Sequence, residues 1–314
     1  MRPIKALGIA SINEDKILDV FYFKTEQSHE ESNSYKFLNP NEQTNIEEIA
    51  NLDLSKNKSL IEVHLVSDEA ITDVPTAFLK LFLISNKSYK PNELVLDNIF
   101  NTLETLAWTS YGPMEVKAAQ KKLLETKISG QPFSIYSVDK FPPLTDYLIP
   151  EKVRIADTAR IRLGAYLGEG TTIMHAGFVN FNAGSEGPNM VEGRISSKVF
   201  VAKGSDLGGG SSTMGTLSGG NDQVISIGEN SLVGANAGVG ISLGNNCTVE
   251  AGLYITSGTK ITVMDDKNEE QRTVKAIELS GLNNILYIRD SLTGKVLAKP
   301  NNKEFSLNEI LHNN

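Results

Sequence analysis

Up to about residue 71 the chain alternates apolar and polar positions in short runs, residues 6–12, 17–23 and 61–66, divided by clusters of Asn, Ser and Asp. Alternation with period two lays one side of each run against a core, so these runs predict strands. The period then lengthens. Over residues 74–85, and again over 93–108 through Leu94, Ile99, Leu103 and Ala107, apolar residues recur three and four apart, which predicts amphipathic helices. A third helix is expected over 114–126, opened by the break at Gly112 and Pro113. Residues 1–128 therefore read as an α/β domain. Residues 129–150 carry Gly130, Pro132, Pro142, Pro143 and Pro150, too many breakers for one long element, and read as a linker.

After Pro150 the period becomes six. Every sixth residue gives Ile155, Ile161, Leu167, Ile173 and Val179; then Ile195, Val201 and Leu207; then Ile227, Val233 and Val239; then Leu243, Val249, Ile255 and Ile261. All are Ile, Leu or Val. If those types filled about a quarter of positions at random, five in register would occur about once in a thousand trials, so the repeat is built in. A hexad makes one short strand and a corner, and three hexads close a triangular coil with the aliphatic residue inward. Stacked coils bury a continuous column that no single hexad could bury. Gly follows the aliphatic position at 168, 208, 228, 234, 240 and 244, where the corner is expected to need a positive φ. The register slips between Val179 and Ile195 (NFNAGSEGPNMVEGR) and between Leu207 and Ile227 (GGGSSTMGTLSGGNDQVIS). Both stretches are expected to be loops extruded from the coil, where a rigid scaffold would present functional groups. The coil is placed at 151–264 and the C-terminal strands and tail at 265–314.

Composition changes this picture little. With 40% hydrophobic and 22% charged residues, the chain has the make-up of an ordinary folded protein. Thirty basic against 38 acidic residues give a net charge of −8, which argues against a general nucleic-acid binder and against a polybasic membrane surface. The single cysteine, Cys247, allows no disulfide framework and no Cys-based zinc site, and fits a reducing compartment. The N-terminus has no export-signal pattern, and no apolar run reaches the roughly 18 residues of a spanning helix, so a cytoplasmic location and no membrane partner are expected.

Candidate chemistry lies in the second half. Of the four histidines, His29, His64, His175 and His312, only His175 falls in the repeat region, so a three-His zinc site cannot be assembled from the coils. Glu192 and Arg194 stand two apart in Met190-Val191-Glu192-Gly193-Arg194, either as a solvated surface pair or as a working couple. In the second case a desolvated Glu192 acts as base or nucleophile, and Arg194 holds a substrate carboxylate as a two-pronged donor. Gly208-Gly209-Gly210-Ser211-Ser212 offers bare backbone that a ligand can approach closely. Neither GxGxxG at a helix start nor GxxxxGK[ST] occurs, so Rossmann and P-loop nucleotide binding have no support.

The stretches TTIMHAGFVNFNAGSEGPNMVEGRIS, GSDLGGGSSTMGTLSGG and ISIGENSLVGANAGVGISLGNNCTVEAGLYITSGTKIT closely resemble the tetrahydrodipicolinate N-succinyltransferases, in the branch found in actinobacteria and pseudomonads. The likeness is close over about 150–314 and loose before it. It implies a homotrimer of left-handed parallel β-helices, with succinyl-CoA as co-substrate in a groove between neighbouring coils and no tightly bound cofactor. The N-terminal α/β domain would help enclose the amino-acid substrate. The family moves a succinyl group from coenzyme A to the amino nitrogen of L-2-amino-6-oxopimelate, the opened hydrate of tetrahydrodipicolinate, on the way to diaminopimelate and lysine.

By the same resemblance Glu192 is the catalytic acidic residue, acting through an acyl-anhydride or as a base, and Arg194 binds ligand. Gly209, Ser212, Ala235, Glu250, Ala251 and Gly258 would line the coenzyme A groove, and Lys275 with Ile288 and Arg289 would close on it. Where some relatives place metal-binding acids near the trimer axis, this chain has Ala159 and Ala176, so no metal is expected there. The neighbouring Arg160 and Arg162 read as solvated surface charges. Two other readings remain: a hexapeptide acetyltransferase working on a different amine or sugar with His175 as base, and a non-catalytic protein whose coils only assemble.

Overall fold

The computed structural model of the protein describes residues 1–43, 46–49, 53–215 and 224–301. Two compact units emerge, one joining Met1–Leu83 to Glu93–Pro142, the other joining Ile84–Asn92 to the chain from Pro143 onward.

The first unit holds a four-stranded antiparallel sheet in the order β2-β1-β4-β3, with β1 at Ile4–Asn13, β2 at Lys16–Gln27, β3 at Ser34–Phe37 and β4 at Lys58–Leu65. Helix α1, Val74–Ser85, begins where Asp73 Oδ1 accepts a hydrogen bond from the Thr76 amide at 2.8 Å, an N-cap followed by Pro75. Its Lys80 ammonium is fully buried yet satisfied by Asp68 Oδ1 (2.6 Å) and the carbonyls of Glu69 (2.6 Å) and Val95 (2.8 Å).

Three expectations for this unit need correction. Residues 93–108 are not a helix: they form turns, the short helix Ile99–Thr102 and the strand Leu106–Thr109. Asn98 takes a left-handed φ of 68°, which breaks helical continuity, and all four residues of the strand are buried, so an apolar run on a central strand imitated helical spacing. The third helix starts later, at Val116, and runs to Ser129, because Gly112–Glu115 pairs as a strand with Leu106–Thr109. The linker at 129–150 instead contains the strand Ile135–Asp139, which pairs with Leu106–Thr109, and the division between units falls after Pro142.

The second unit is a coil of short parallel strands. One face stacks strands at Arg154–Ile155, Thr171–Ile173, Asn189–Val191, Asp206–Leu207, Leu232–Val233 and Thr248–Val249, then Ile285–Arg289. The second face stacks Phe178–Val179, Arg194–Ile195, Ser212–Thr213, Gly238–Val239 and Tyr254–Ile255. The third stacks Ala165–Leu167, Ala183–Ser185, Phe200–Val201 and Ser226–Ile227. Fourteen of the fifteen aliphatic rungs are at most 2% exposed, and Ile155, at the first coil, is half-buried. Each such side chain contributes about 1.5–3 kcal/mol by leaving water. Tyr287, paired with Val249 and fully buried, adds a further rung from beyond the repeat.

The expectation of a loop at 180–194 is overturned. Ser185 pairs with Leu167 and Val201, and Val191 pairs with Ile173 and Leu207, so both occupy the ladder. Ser185 hid the rung because it is polar. The slip is a shortened corner: three residues separate Val191 from Ile195, where five separate Ile173 from Val179 one coil earlier. The second excursion also starts later, because Ser212–Thr213 continues the second face; residues 216–223 lie outside the described residues, as do 302–314 with His312.

The glycine argument changes too. None of Gly168, Gly208, Gly228, Gly234, Gly240 and Gly244 has a positive φ; that conformation falls to Gly170, Gly210, Asn230, Asn236 and Asn246, three residues after the rung. Glycine follows the rung because the next coil passes too close: a Cβ at Gly168 would stand 1.9 Å from the Glu186 carbonyl oxygen, and one at Gly234 would stand 2.5 Å from the Ala251 nitrogen.

A second ladder, polar and unforeseen, runs inside the corner between the third and first faces. The Thr171 and Ser185 hydroxyls meet at 3.1 Å, Asn189 Nδ2 donates to Ser185 Oγ, Asn189 Oδ1 accepts from the Ser205 amide, Ser205 Oγ accepts from the Ser231 amide, and Ser231 Oγ accepts from the Cys247 amide (2.9 Å). Asn189, Ser205 and Ser231 thereby satisfy backbone that the tight corner leaves unpaired, and Thr171 and Ser185 extend the ladder side chain to side chain.

Candidate functional site

The corner between the first and second faces is a column of aligned backbone. The amide of Glu192 donates to the Leu207 carbonyl, that of Gly208 to Val233, that of Gly234 to Val249 and that of Glu250 to Tyr287. Strand spacing of roughly 4.8 Å per coil therefore sets Glu192, Gly208, Gly234 and Glu250 along one edge. The next position along the chain lines up Gly209, Ala235, Ala251 and, beside Glu250, Arg289.

Glu192 stands on the one shortened corner of this edge. Its carbonyl accepts from the Gly210 amide at 3.2 Å, so the next coil grips its backbone at both ends. The half-buried carboxylate passes over Gly209, where an added Cβ would lie 3.7 Å from Oε2, and has no hydrogen bond or ion pair among the described residues. Arg194, two residues on, points out from the second face in register with Phe178 and Ser212, exposed and with no partner for its guanidinium among the described residues. Glu192 and Arg194 thus form no surface ion pair with each other, and a free carboxylate and a free guanidinium flank one corner.

Gly193 and Ser211, which the sequence marks only as members of their motifs, make that corner possible. A Cβ at Gly193 would fall 2.1 Å from Ser211 Oγ, and this hydroxyl is fully buried with no hydrogen-bond partner. Tyr254 was also missed. Its ring lies flat on Gly238, where a Cβ would come within 2.1 Å, and the ring remains 44% exposed on the outer second face.

The remaining positions border the same face. Ala235 and Ala251 are exposed on the edge. Glu250 Oε2 accepts from the Arg289 amide at 2.8 Å, which joins Glu250, half-buried Ile288 and Arg289 at the coil's last turn. Arg289 Nη1 turns back to the Gly294 carbonyl. Gly258 sits on the opposite border of the second face, where a Cβ would meet nothing within 4 Å. Its corner bonds the segment after Lys275 through Ala276 N to Thr259 O (2.8 Å) and Ile277 N to Ser257 O (3.1 Å), so exposed Lys275 comes beside it. All eleven proposed residues therefore flank the second face and none lies on the third.

Arg160 and Arg162 are not freely solvated. Arg160 donates to the Gly177 and Ala176 carbonyls, and Arg162 donates to Asn180 Oδ1 with its guanidinium 5.9 Å from the Phe178 ring. Ala159, whose amide is bonded by Asp157, and Ala176 offer no side-chain oxygen. Among the described residues no group of three or more His, Cys, Asp or Glu is placed to hold a metal ion. His175 is exposed on the preceding coil. Cys247 is buried, which raises its thiol pKa, and donates to the Leu282 carbonyl at 3.2 Å. No helix among the described residues is long and apolar enough to cross a membrane.

A hexapeptide coil with a carboxylate and small residues along one edge belongs to the class of left-handed β-helix acyltransferases, and comparisons with known proteins agree. Residues 224–257 match the hexapeptide repeat of succinyl-transferase, and residues 103–142 match the tetrahydrodipicolinate N-succinyltransferase middle family. The chain is 54% identical to the 2,3,4,5-tetrahydropyridine-2,6-dicarboxylate N-succinyltransferase of Pseudomonas putida over 82% of its own length and 74% of that protein. It is 48% identical to the enzyme of the same name from Pseudomonas aeruginosa over 98% of its length and 86% of that protein. A crystal structure described as a putative 2,3,4,5-tetrahydropyridine-2-carboxylate N-succinyltransferase from Campylobacter jejuni superposes with a TM-score of 0.86 at 31% identity, covering 98% of this chain and 94% of that one. The chain belongs to the tetrahydrodipicolinate N-succinyltransferase family.

Proposed function

We propose that this protein transfers the succinyl group of succinyl-CoA to the amino nitrogen of L-2-amino-6-oxopimelate, as a cytoplasmic homotrimer in which the second face and its two edges build the acyl site against a neighbouring subunit. The observation that carries this reading is the Glu192 carboxylate, raised on the shortened corner and without a partner among the described residues.

In this reading Glu192 acts as general base. It takes the proton that the amine loses as nitrogen attacks the thioester carbonyl carbon; the C–N bond forms, the C–S bond breaks, and the departing thiolate is protonated to free coenzyme A. Arg194 supplies a planar two-pronged donor for a carboxylate of succinyl or acceptor. The bare edge at Gly209, Ala235 and Ala251 lets an extended pantetheine arm lie against the coil, with Ser212 beside Arg194, Glu250 with Ile288 and Arg289 at one end, and Gly258 with Lys275 across the face.

Release of coenzyme A thiol in the presence of both substrates tests the proposal. Glu192→Gln is expected to cut turnover by about 10²–10⁴-fold, and His175→Asn to spare it. The reverse pattern, or preference for acetyl-CoA, would support the acetyltransferase reading instead. Sedimentation equilibrium is expected to give a trimer, and a fully active monomer would defeat the shared site.

A further inference from the structure

The first unit carries a cavity of about 300 Å³ that is open to solvent, at the lower end of the roughly 300–1,000 Å³ range of small-molecule sites. It opens between the β1–β2 turn, the edge strand β3, the start of α1 and the segment 102–106, all within this unit. Two features of its wall set the chemistry. Tyr35 and Phe37 on the edge strand leave 44% and 47% of their surface exposed and stand edge to face, ring centroids 6.4 Å apart. An aromatic pair left this open on a cavity wall presents π-faces and apolar surface that no other part of the unit covers.

The charges are equally one-sided. Asp15, Asp73 and Glu104 line the cavity against a single cation, Lys16, and that ammonium is already committed to Glu104 and to Glu115 (3.2 Å). Its pKa is raised, first by the hydrogen bond to Glu104. Asp73 also caps α1, so the positive helix end is answered from within the chain and draws no further anion. An anionic ligand would meet a wall with an excess of negative charge and, among the described residues lining it, no free cation. A neutral one would leave the electrostatics unused.

We propose that this cavity is a binding site for a small organic ammonium ion with an apolar body, its cationic head at the Asp15 carboxylate and its body against Tyr35 and Phe37. Asp15 supplies charge pairing and the rings supply cation–π and apolar contact. The site uses none of the residues assigned to acyl transfer.

Isothermal titration of the full-length protein with hexylammonium, hexanol and hexanoate tests this directly. Hexylammonium is expected to bind one per chain, hexanol at least about tenfold more weakly, and hexanoate not at all. Tyr35→Ala and Asp15→Asn, both at exposed positions, should each weaken hexylammonium about tenfold while melting with the unmodified protein, and Glu192→Gln should bind it unchanged. Equal binding of the alcohol, binding of the carboxylate, loss of binding in Glu192→Gln alone, or no saturable heat with hexylammonium would overturn the assignment.

Discussion

Gly208 and Gly209 are chain neighbours with opposite predicted responses to the same added methyl. A Cβ at Gly208 would stand 2.7 Å from the Ala235 nitrogen, and also 3.0 Å from both Gly234 C and Val233 O, all backbone of the next coil. Ordinary contact begins near 3.4 Å, so Gly208→Ala forces the two coils apart by about 0.7 Å where their hydrogen bonds are fixed. Overpacking of this kind costs about 1–3 kcal/mol, and in a chain of this size that lowers Tm by about 2–5 °C. At Gly209 the nearest atom to a new Cβ is Glu192 Oε2 at 3.7 Å, and φ is not positive, so Gly209→Ala fits and should melt at or slightly above the parent temperature. Its methyl would nevertheless stand on the edge where the thioester is proposed to pass Glu192. The same 1–3 kcal/mol, now charged to bound ligand, predicts a fall in kcat/KM of about 5–150-fold. Differential scanning fluorimetry with the thiol-release assay reads both effects. A stable Gly209→Ala enzyme with unaltered kcat/KM would show that the edge does not carry the acyl donor, and a Gly208→Ala protein melting with the parent would refute the close-approach account of the corner glycines.

Ser231→Ala removes the acceptor of the Cys247 amide and the donor to the Gly244 carbonyl, both buried, so chemical denaturation should show a loss of about 1–3 kcal/mol with no change in KM. Gly258→Leu, at a corner where an added Cβ meets nothing within 4 Å among the described residues, should leave Tm unchanged and raise KM for succinyl-CoA; an unchanged KM would remove Gly258 from the groove. Glu62 gives a pH dependence. Burial pushes its carboxyl up, but hydrogen bonds from His64, Lys36 and Lys5 outweigh that and hold it down at about 2. A folded pKa below the unfolded one stabilises fully above the ordinary carboxylate range, and the benefit fades as pH falls from about 4.5 towards 2. The stability gap between the parent and Glu62→Gln should therefore be constant at neutral pH and close across that interval.

The coil was legible because its signal is strictly periodic and lies in one side-chain class. A six-residue spacing of Ile, Leu and Val has one physical use, and those rungs are buried. What the sequence concealed was polar membership of the same ladders. Ser185 and Thr213 occupy rungs, while Asn189, Ser205 and Ser231 build the hydrogen-bonded corner, and Ser and Asn read as loop residues unless their backbone partners are known. Two coil segments were for that reason mistaken for excursions. In the first unit the error had the opposite sign: Leu106, Ala107 and Trp108, buried together on a central strand, continued an apolar spacing begun in turns and so looked helical.

The candidate site lies at a corner marked by a phase slip, although residues 180–194 are not an extruded loop. A slip in phase marks a change in corner length, whether the chain has bulged out or been cut short, and either one singles out a corner from its neighbours. Here it is the short form: with two residues removed after Val191, Glu192 holds the place that glycine fills in the next two coils, and its side chain must leave the stack instead of meeting the coil above. Val191 and Ile195 stay fully buried on either side, so the carboxylate is aimed by two rungs of rigid core rather than by a flexible loop. The departure from the repeat and the placement of the Glu192 carboxylate are thus one feature of the chain.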